Sequence, residues 1–290
     1  MSKWVIGIIG GSGLYALEGL EGAEAVTVET PWGAPSDQLV KGRIGDVTLV
    51  FLPRHGKGHR LSPSDVPYRA NIDALKRMGC TDVLSISACG SLKEAYAPGE
   101  YVMADQFIDR TFARQKSFFG PGMVAHVSMA DPVCSRLSGL AGDAAEAAGV
   151  TVHRGGTYLA MEGPQFSSRA ESFLYRQWGC DVIGMTNMPE AKLAREAELP
   201  YATIAMVTDY DCWHDEAEAV SVTNVLEIMQ QNTERAKEAI LTLARSLQGT
   251  SRTPSPQGIE TCLDFAMITA PTARDPEALK KLDAVAGRVL

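Results

Sequence analysis

Two acidic residues, Asp209 and Asp211, follow a buried strand-like run and are well placed to do chemistry. Residues 202–207 are unbroken apolar and β-branched, which is typical of a strand buried on both faces of a parallel sheet. Side chains two residues apart on extended chain point the same way, so both carboxylates should face one cavity. Because two close carboxylates resist ionising together, one keeps a proton near neutral pH. Such a pair can protonate a ring nitrogen and accept a hydrogen bond from an exocyclic amine.

Spacing alone leaves a simpler interpretation of this pair open. Asp209 could cap a turn while Asp211 is solvated. In open α/β sheets, however, ligands bind outside the carboxyl ends of strands, which is where the pair lies. Phe166 also has two readings, since an aromatic after a Gly-Pro break can stack on a flat ring or belong to the core.

Three turns rich in small residues are candidate anion sites. One strand-like run ends in a glycine-rich turn containing Ser12, where backbone N–H groups and the hydroxyl can approach an anion. A second run leads into Arg54, whose planar fork matches phosphate oxygens, and His55, which adds a donor. A solvated basic turn is the alternative there. A third run ends at Ser87 and Ala88, whose hydroxyl and N–H could complete an anion cradle.

Three other features admit competing interpretations. Residues 11–16 match the dinucleotide fingerprint G-x-G-x-x-G/A, and Glu29 lies at about the expected distance, which would indicate an oxidoreductase. Cys89 is a candidate nucleophile, but no His–Cys pairing supports it and a buried structural thiol is preferred. His126 stands in an apolar setting, where histidine is more often a packing residue than a catalyst.

Bulk composition narrows the class of protein. The 290 residues are 45% hydrophobic and 21% charged, as in an ordinary globular protein. A net charge of −8 argues against nucleic acid or an anionic membrane as the main partner. The six cysteines are scattered without CxxC spacing, which suits a reducing, cytoplasmic location. No signal peptide and no apolar run of ~20 residues is evident, so no membrane span is expected.

Strand-like runs alternate with amphipathic helical segments along the chain. This alternation predicts an α/β fold, a single domain with a mostly parallel, twisted central sheet flanked by helices. Residues 1–248 should form that domain, and residues 249–290 a C-terminal connection and helix packing on the same domain or a neighbouring subunit. Strands are predicted at 4–9, 47–53, 82–87, 100–108, 151–161, 181–185 and 201–207, and helices at 66–78, 135–148 and 222–247, with others starting near 168, 187 and 275.

Six ordered motifs resemble the methylthioadenosine phosphorylases, trimeric members of the purine nucleoside phosphorylase superfamily. The resemblance is collinear from about residue 6 to residue 247. It implies phosphorolysis of 5′-deoxy-5′-methylthioadenosine to adenine and 5-methylthioribose 1-phosphate by a homotrimer. It implies inorganic phosphate as co-substrate and no metal or organic cofactor. The motifs are GGSGL (10–14), RHGKGH (54–59), SACGS (87–91), EGPQFSSRAE (162–171), GMTNMPEAKLA (184–194) and TDYDCW (208–213).

The same resemblance implies how the nucleoside would be held. Asp209 would hydrogen-bond the purine N7, and Asp211 the 6-amino group. Met185 would pack under the ribose, while Phe166 would stack on the base with Ser167 nearby.

The resemblance also implies which residues would bind the phosphate and the 5′-methylthio group. His126 would reach the methylthio end from a neighbouring subunit. The phosphate site would comprise Ser12, Arg54, His55, Ser87, Ala88 and Thr186. The methylthio end would be lined by Val222, His59 and His126.

The sequence is compatible with several functions. Within the enzyme class, a methylthioinosine or general purine nucleoside phosphorylase is the nearest alternative. Paired acids together with the Phe-Ser-Ser loop go with a 6-amino purine in the resemblance. Two alternatives are more distant. A dinucleotide-dependent oxidoreductase would leave most of the motifs unused. A non-catalytic purine-binding protein is disfavoured because the sequence has not visibly lost any catalytic group.

Overall fold

A mixed, eleven-stranded sheet organises the part of the chain that the structure describes. The structure is a computed structural model, and it describes residues 3–11, 13–14, 17, 19–214 and 222–290, apart from the side chains of residues 222–226. In chain order the strands are β1 (Val5–Gly10), β2 (Glu21–Val26), β3 (Leu39–Ile44), β4 (Val47–Pro53), β5 (Asp82–Ser91), β6 (Tyr101–Met103), β7 (Gln106–Asp109), β8 (Val152–Arg154), β9 (Thr157–Ala160), β10 (Val182–Gly184) and β11 (Tyr201–Tyr210).

Most neighbouring strands in this sheet run parallel. Six of the ten pairings between described strands are parallel, among them β1 with β4, β1 with β5 and β5 with β11. The antiparallel pairings join β2 to β3, β3 to β4, β10 to β5 and β11 to β6. The predicted α/β fold with a mostly parallel central sheet is therefore confirmed.

Helices cover both faces of the sheet. Alternate residues of β1 enter different apolar clusters, with Ile8 on one face and Ile9 on the other. The cluster that contains Ile9 also contains Ile72 and Leu193, whereas the cluster that contains Ile8 also contains Leu243. The helices are α1 (Tyr68–Arg77), α2 (Ser135–Ala147), α3 (Arg169–Gln177), α4 (Asn187–Glu196), α5 (Val222–Leu247), α6 (Pro276–Lys281) and α7 (Asp283–Ala286).

Local capping sets where two of these helices begin. Ser168 accepts a hydrogen bond from the Glu171 N–H, and the Glu171 carboxylate accepts one from the Ser168 N–H. Asp275 caps α6 by accepting a hydrogen bond from the Glu277 N–H, and Pro276 occupies the first turn. α4 starts less regularly, because Met188 has an extended backbone (φ −118°, ψ 132°).

The pair β5 and β11 carries the chemistry to one edge of the sheet. β11 is buried along its first eight residues, as the apolar run predicts. The two strands lie parallel, with Ala205 opposite Ser87 and Asp209 opposite Gly90. The carboxyl end of β11 therefore lies directly beside the small-residue segment that ends β5.

Two sequence-based strand predictions were wrong in detail, and one strand was missed. The predicted strand at 100–108 is two strands, since β6 pairs with β8 and β11 whereas β7 pairs with β9. The predicted strand at 151–161 breaks at Gly155 and Gly156, whose φ values of 82° and 127° suit glycine. β3 was not predicted; its sequence, LVKGRI, contains a glycine and two charges, which weaken the strand pattern.

The segment after α5 packs on the rest of the same chain. Leu263, Leu282 and Val285 are buried in the larger apolar cluster. Arg288 forms a salt bridge with Glu198, and the Leu263 N–H donates to the same carboxylate. Among the described residues, no helix has both the length and the apolar character needed to cross a membrane.

Candidate active site

The acids at the end of β11 converge on Gly90 of β5. A register shift in the β5–β11 ladder falls at Thr208, just before the first acid. A methyl group built on Gly90 would lie 3.2 Å from Asp209 Oδ1 and 3.5 Å from Asp211 Cβ. Both acidic residues therefore approach one point at the sheet edge, and a larger residue than glycine there would crowd Asp209.

The two carboxyl groups differ in their surroundings. Burial raises the pKa of Asp209 to about 6, with a further rise caused by Asp211, while the Thr208 hydroxyl donates to Oδ2 at 2.7 Å and acts in the opposite direction. Asp211 is 8% exposed, and its Oδ2 has no hydrogen-bond partner among the described residues. A buried carboxylate oxygen without a donor is costly, so it is suited to accept one from a ligand.

The loop before α3 lies against this acidic edge. The Cys212 thiol donates to the Ser167 carbonyl at 3.3 Å, which ties the loop to the end of β11. Gly163 has a φ of 69°, and a Cβ there would lie 2.6 Å from the Met185 sulfur. Phe166 is 85% exposed, so its ring is free to cover a bound planar group.

A buried arginine joins the predicted anion turns. The Arg54 N–H donates to the Gly10 carbonyl at 2.9 Å, which connects the ends of β4 and β1. Its guanidinium donates to Ser85 Oγ at 2.6 Å and to the Ile86 carbonyl at 3.1 Å, which connects it to β5. One Nη1 hydrogen has no partner among the described residues. Arg54 is therefore not a solvated turn residue, and most of its guanidinium N–H donors are already hydrogen-bonded within the protein.

Glu190 of α4 holds that guanidinium in place. Arg54 Nε lies 2.8 Å from one carboxylate oxygen, Nη2 lies 3.1 Å from the other, and both side chains are 2% exposed. The Tyr201 hydroxyl donates to the same carboxylate at 2.9 Å. Burial works to lower the pKa of Arg54, but Glu190 outweighs it and the pKa stays above its ordinary value. The guanidinium is thus charged and fixed in orientation.

A second polar chain links the end of β5 to α4. Ser87 Oγ donates to Asn187 Oδ1 at 3.1 Å, and Asn187 Nδ2 donates to Thr203 Oγ1 at 2.7 Å. Thr186, directly before α4, is buried and makes no side-chain cap bond. Ala88 is exposed although its strand neighbours are buried. The five residues lie at one junction of β5, β11 and α4.

The His55 ring presents a hydrogen-bond acceptor where the sequence predicts a donor. Its Nδ1 lies 2.9 Å from the Leu61 carbonyl, and its ring stacks on His59 with centroids 4.2 Å apart. Burial and the neighbouring Arg54 charge lower the pKa of His55 to about 4. The ring is then neutral at pH 7 and keeps its proton on Nδ1, so Nε2 presents a lone pair rather than the predicted donor.

Two predicted site residues fall outside what the structure describes, and a third, His126, is not joined to this edge by any described contact. Ser12 lies outside the described residues, and so does the side chain of Val222, which begins α5. His126 is exposed, and its N–H donates to the Ala266 carbonyl at 2.9 Å. It lines a cavity of about 380 Å³ together with Glu196, and no described contact connects it to the acid pair.

Comparison with known proteins agrees with this arrangement. Residues 5–245 match the model of the Phosphorylase superfamily. The S-methyl-5'-thioadenosine phosphorylase of Cereibacter sphaeroides is 61% identical over 288 residues, which cover 99% of each chain. The chain belongs to the phosphorylase superfamily, among the S-methyl-5'-thioadenosine phosphorylases. The family resemblance drawn from the six motifs is confirmed.

Solved structures of this family share the fold. A methylthioadenosine phosphorylase sourced from an antarctic soil metagenomic library superposes with a TM-score of 0.92 at 47% identity, covering 98% of this chain and 99% of that one. A methylthioadenosine phosphorylase from Schistosoma mansoni in complex with adenine gives 0.85 at 39% identity, covering 91% and 99%. The fold is therefore that of the family along nearly the whole chain.

Buried polar residues that the sequence did not assign complete this phosphorylase edge. Arg114 donates to the carbonyls of Glu162 and Met188 at 2.7 Å each, which ties the loop before α3 to the start of α4. Glu190 and Asn187 hold Arg54 and Ser87, as described above. All three contact partners that are far away in sequence; Arg54 and Glu190, for example, are 136 positions apart. No local spacing pattern could have revealed these pairs.

Proposed function

We propose that this chain catalyses the phosphorolysis of 5′-deoxy-5′-methylthioadenosine to adenine and 5-methylthio-D-ribose 1-phosphate. The observation that carries the proposal is the convergence of Asp209 and Asp211 on one point beside the Phe166 loop. Membership of the methylthioadenosine phosphorylases supports the same reaction. The chain is accordingly a pentosyltransferase that serves purine and methionine salvage.

The acid pair would handle the departing base. Cleavage of the N-glycosidic bond leaves its electron pair on the purine, and a proton delivered to N7 neutralises that charge. Asp209 suits this task because burial raises its pKa to about 6, so that part of the population keeps a proton near neutral pH. Asp211 Oδ2, which lacks a donor among the described residues, would accept the 6-amino hydrogen. Phe166 would cover the base, with Ser167 beside it and Met185 under the ribose.

Inorganic phosphate would be the nucleophile at C1′. Its negative charge stabilises the positive sugar in the transition state, and holding both substrates lowers the entropic cost of the encounter. No covalent enzyme intermediate is needed. Cys89 is 4% exposed, and burial together with Asp209 raises its pKa well above the ordinary value, so it stays an un-ionised thiol. The proposed phosphate contacts are Ser12, Arg54, His55, Ser87, Ala88 and Thr186; the neutral His55 ring would accept the O–H of hydrogen phosphate through Nε2.

We further propose a homotrimer in which a neighbour completes the 5′-methylthio end beside Val222 and His59. An exposed apolar strip supports it: Val124, Phe265 and Ile268 are 37%, 100% and 61% exposed, and the Ile268 N–H donates to the Val124 carbonyl. His126 adjoins this strip through its bond to Ala266. Sedimentation should give three chains, and Phe265→Asp should dissociate them and weaken methylthioadenosine binding. A fully active monomer would reject this arrangement.

The proposed reaction uses phosphate as co-substrate and needs no metal or organic cofactor. Activity should therefore survive exhaustive treatment with a chelator, and loss that zinc or magnesium restores would contradict this. The dinucleotide alternative fits poorly, because the described residues between Gly10 and Glu21 are not helical, whereas that fingerprint must open a helix. The six free thiols suit the reducing cytoplasm as the place of action.

A panel of nucleosides tests the substrate assignment. The panel combines a 6-amino or 6-oxo purine with a 5′-methylthio or 5′-hydroxyl ribose, each assayed with phosphate. Asp211 Oδ2, as a hydrogen-bond acceptor, would repel a 6-oxo group, which offers another acceptor where adenine offers a donor. We expect methylthioadenosine to be cleaved far faster than methylthioinosine or inosine. Comparable rates on all three would favour the general purine nucleoside phosphorylase instead.

A further inference from the structure

The buried arginine Arg114 bonds to two backbone segments that are distant in sequence. Its side chain is 1% exposed. Nη2 donates to the Glu162 carbonyl at 2.7 Å and to the Met161 carbonyl at 3.4 Å. Nη1 donates to the Met188 carbonyl at 2.7 Å and also to the Met185 carbonyl. One planar guanidinium therefore holds both segments at once, which the compact ammonium of a lysine is poorly shaped to do.

These two segments carry side chains that are proposed to hold the nucleoside. Met185 would pack under the ribose, and residues 161–168 contain Phe166 and Ser167, which would lie against the base. Residues 161–168 connect β9 to α3 and belong to no helix or strand. Met185 lies between β10 and α4 in the same way. Because no helix or strand fixes either backbone, the hydrogen bonds from Arg114 take over that role.

The two segments also meet directly next to the arginine. A Cβ on Gly163 would lie 2.6 Å from the Met185 sulfur, so a side chain at this position would push the segments apart. Gly163 directly follows Glu162, whose carbonyl Arg114 binds at 2.7 Å. The arginine thus acts at the point where the spacing of the two segments is set. A displacement of about 1 Å in a positioning group can cost on the order of 10²-fold in rate.

The Glu162 carboxylate balances the charge of this arginine. Arg114 Nε lies 3.5 Å from Glu162 Oε1. The Phe112 N–H donates to Oε2 at 2.6 Å, and the Ser64 hydroxyl donates to Oε1. Burial works to raise the pKa of Glu162, but these donors act the other way, and the pKa lies below its ordinary value. Glu162 is therefore ionised at neutral pH and supplies the counter-charge that a buried guanidinium needs.

We propose that Arg114 is a positioning residue for the nucleoside, which holds the Glu162 and Met185 carbonyls so that Phe166 and Met185 meet the base and the ribose together. The proposal deepens the phosphorolytic function proposed above and rests on it. Arg114 touches neither substrate; it acts through the two backbone segments. Its removal should therefore impair use of the nucleoside far more than binding of phosphate.

Arg114→Lys in the full chain tests this proposal, since it keeps the charge and removes the planar fork. We expect kcat/KM for methylthioadenosine at saturating phosphate to fall about 10²-fold. Inorganic phosphate should raise the melting temperature of the variant nearly as much as that of the wild type, because Glu190 still holds Arg54. Glu162→Gln perturbs the same contact from its other side, since an NH₂ group would face an N–H or O–H donor, and its kcat/KM should fall about tenfold.

Arg252→Lys provides a matched control away from the nucleoside. Arg252 is also largely buried, and it donates to the Thr81 carbonyl at 2.9 Å and to the Asp82 carboxylate at 2.5 Å. These contacts lie at the start of β5, at the opposite end of that strand from Gly90. The control should lower the melting temperature and leave kcat/KM for methylthioadenosine unchanged.

Four outcomes would count against this account. An unchanged kcat/KM in Arg114→Lys would overturn the proposal, and so would an equal fall in Arg252→Lys. A loss of phosphate stabilisation as large as the loss of nucleoside turnover would also overturn it. If Arg114→Lys does not fold, an unchanged kcat/KM in Glu162→Gln overturns the proposal in its place. Adenine release by the wild type without phosphate would instead overturn the proposed function.

Discussion

Glu190→Gln is the substitution whose cost the structure defines most sharply. Glu190 accepts two hydrogen bonds from the buried Arg54 guanidinium and one from the Tyr201 hydroxyl. Glutamine replaces one carboxylate oxygen by an NH₂ group that faces an arginine N–H, and it leaves the buried charge without a counter-ion. Removing one partner of a buried pair costs about 3–5 kcal/mol. For a chain of this size that lowers the melting temperature by roughly 10 °C.

Thermal or denaturant unfolding of matched variants measures this cost. Tyr201→Phe deletes one of the three bonds to the carboxylate, so its loss should be smaller, about 1.5–3 kcal/mol. Glu238→Gln provides the control, because its salt bridge with Arg245 is exposed on both sides (52% and 58%) and contributes at most ~1 kcal/mol. Steady-state kinetics on the same proteins should show a higher phosphate KM for Glu190→Gln, since Arg54 would lose its fixed orientation.

One result would refute the reasoning about this pair. If Glu190→Gln were as stable as Glu238→Gln and bound phosphate normally, Glu190 would not hold Arg54 for the phosphate site. A loss of stability with unchanged phosphate KM would assign the pair to folding alone.

Three further outcomes follow from the acid pair. At saturating phosphate, kcat/KM for methylthioadenosine should fall as pH rises above about 6, because Asp209 loses its proton there. In Asp211→Asn this fall should occur at lower pH, and an unchanged pH profile would argue against coupling between Asp209 and Asp211. The Asp209 carboxyl group makes the folded protein less stable as pH rises. Its pKa is about 6 in the folded state and 3.8 in the unfolded state, so the folded state binds more protons between about pH 4 and 6. Denaturation curves should show stability lost across that window and not regained above it. Gly90→Ala puts a methyl group 3.2 Å from Asp209 Oδ1, so turnover should fall about tenfold with little change in melting temperature, and normal turnover would show that the acids tolerate displacement.

The fold was largely readable from patterns local in sequence. The buried run of β11 and the amphipathic α5 have long, regular signatures, and both were predicted within a few residues. The strands at 100–108 and 151–161 were predicted as continuous because residues on both sides of each break favour strands. Where the chain turns to a new neighbour is decided by tertiary pairing, which one segment alone does not encode.

The site was readable only where its residues carry a spacing signature. Asp209 and Asp211 lie two apart at a strand end, which predicts their convergence. Glu190, Asn187 and Arg114 have no such signature, because each matters through a partner that the fold brings from another part of the chain. Sequence reasoning therefore finds residues aimed at a ligand more readily than those that hold them.

Parallel measurement of phosphate consumed and adenine released from methylthioadenosine tests the central claim most directly. We predict one phosphate consumed per adenine released, 5-methylthioribose 1-phosphate as the other product, and no release in phosphate-free buffer. Asp209→Asn should lower this rate on the order of 10²-fold or more. Adenine released at the same rate without phosphate, with free methylthioribose as product, would contradict the claim that phosphate occupies the junction of β1, β4, β5 and α4.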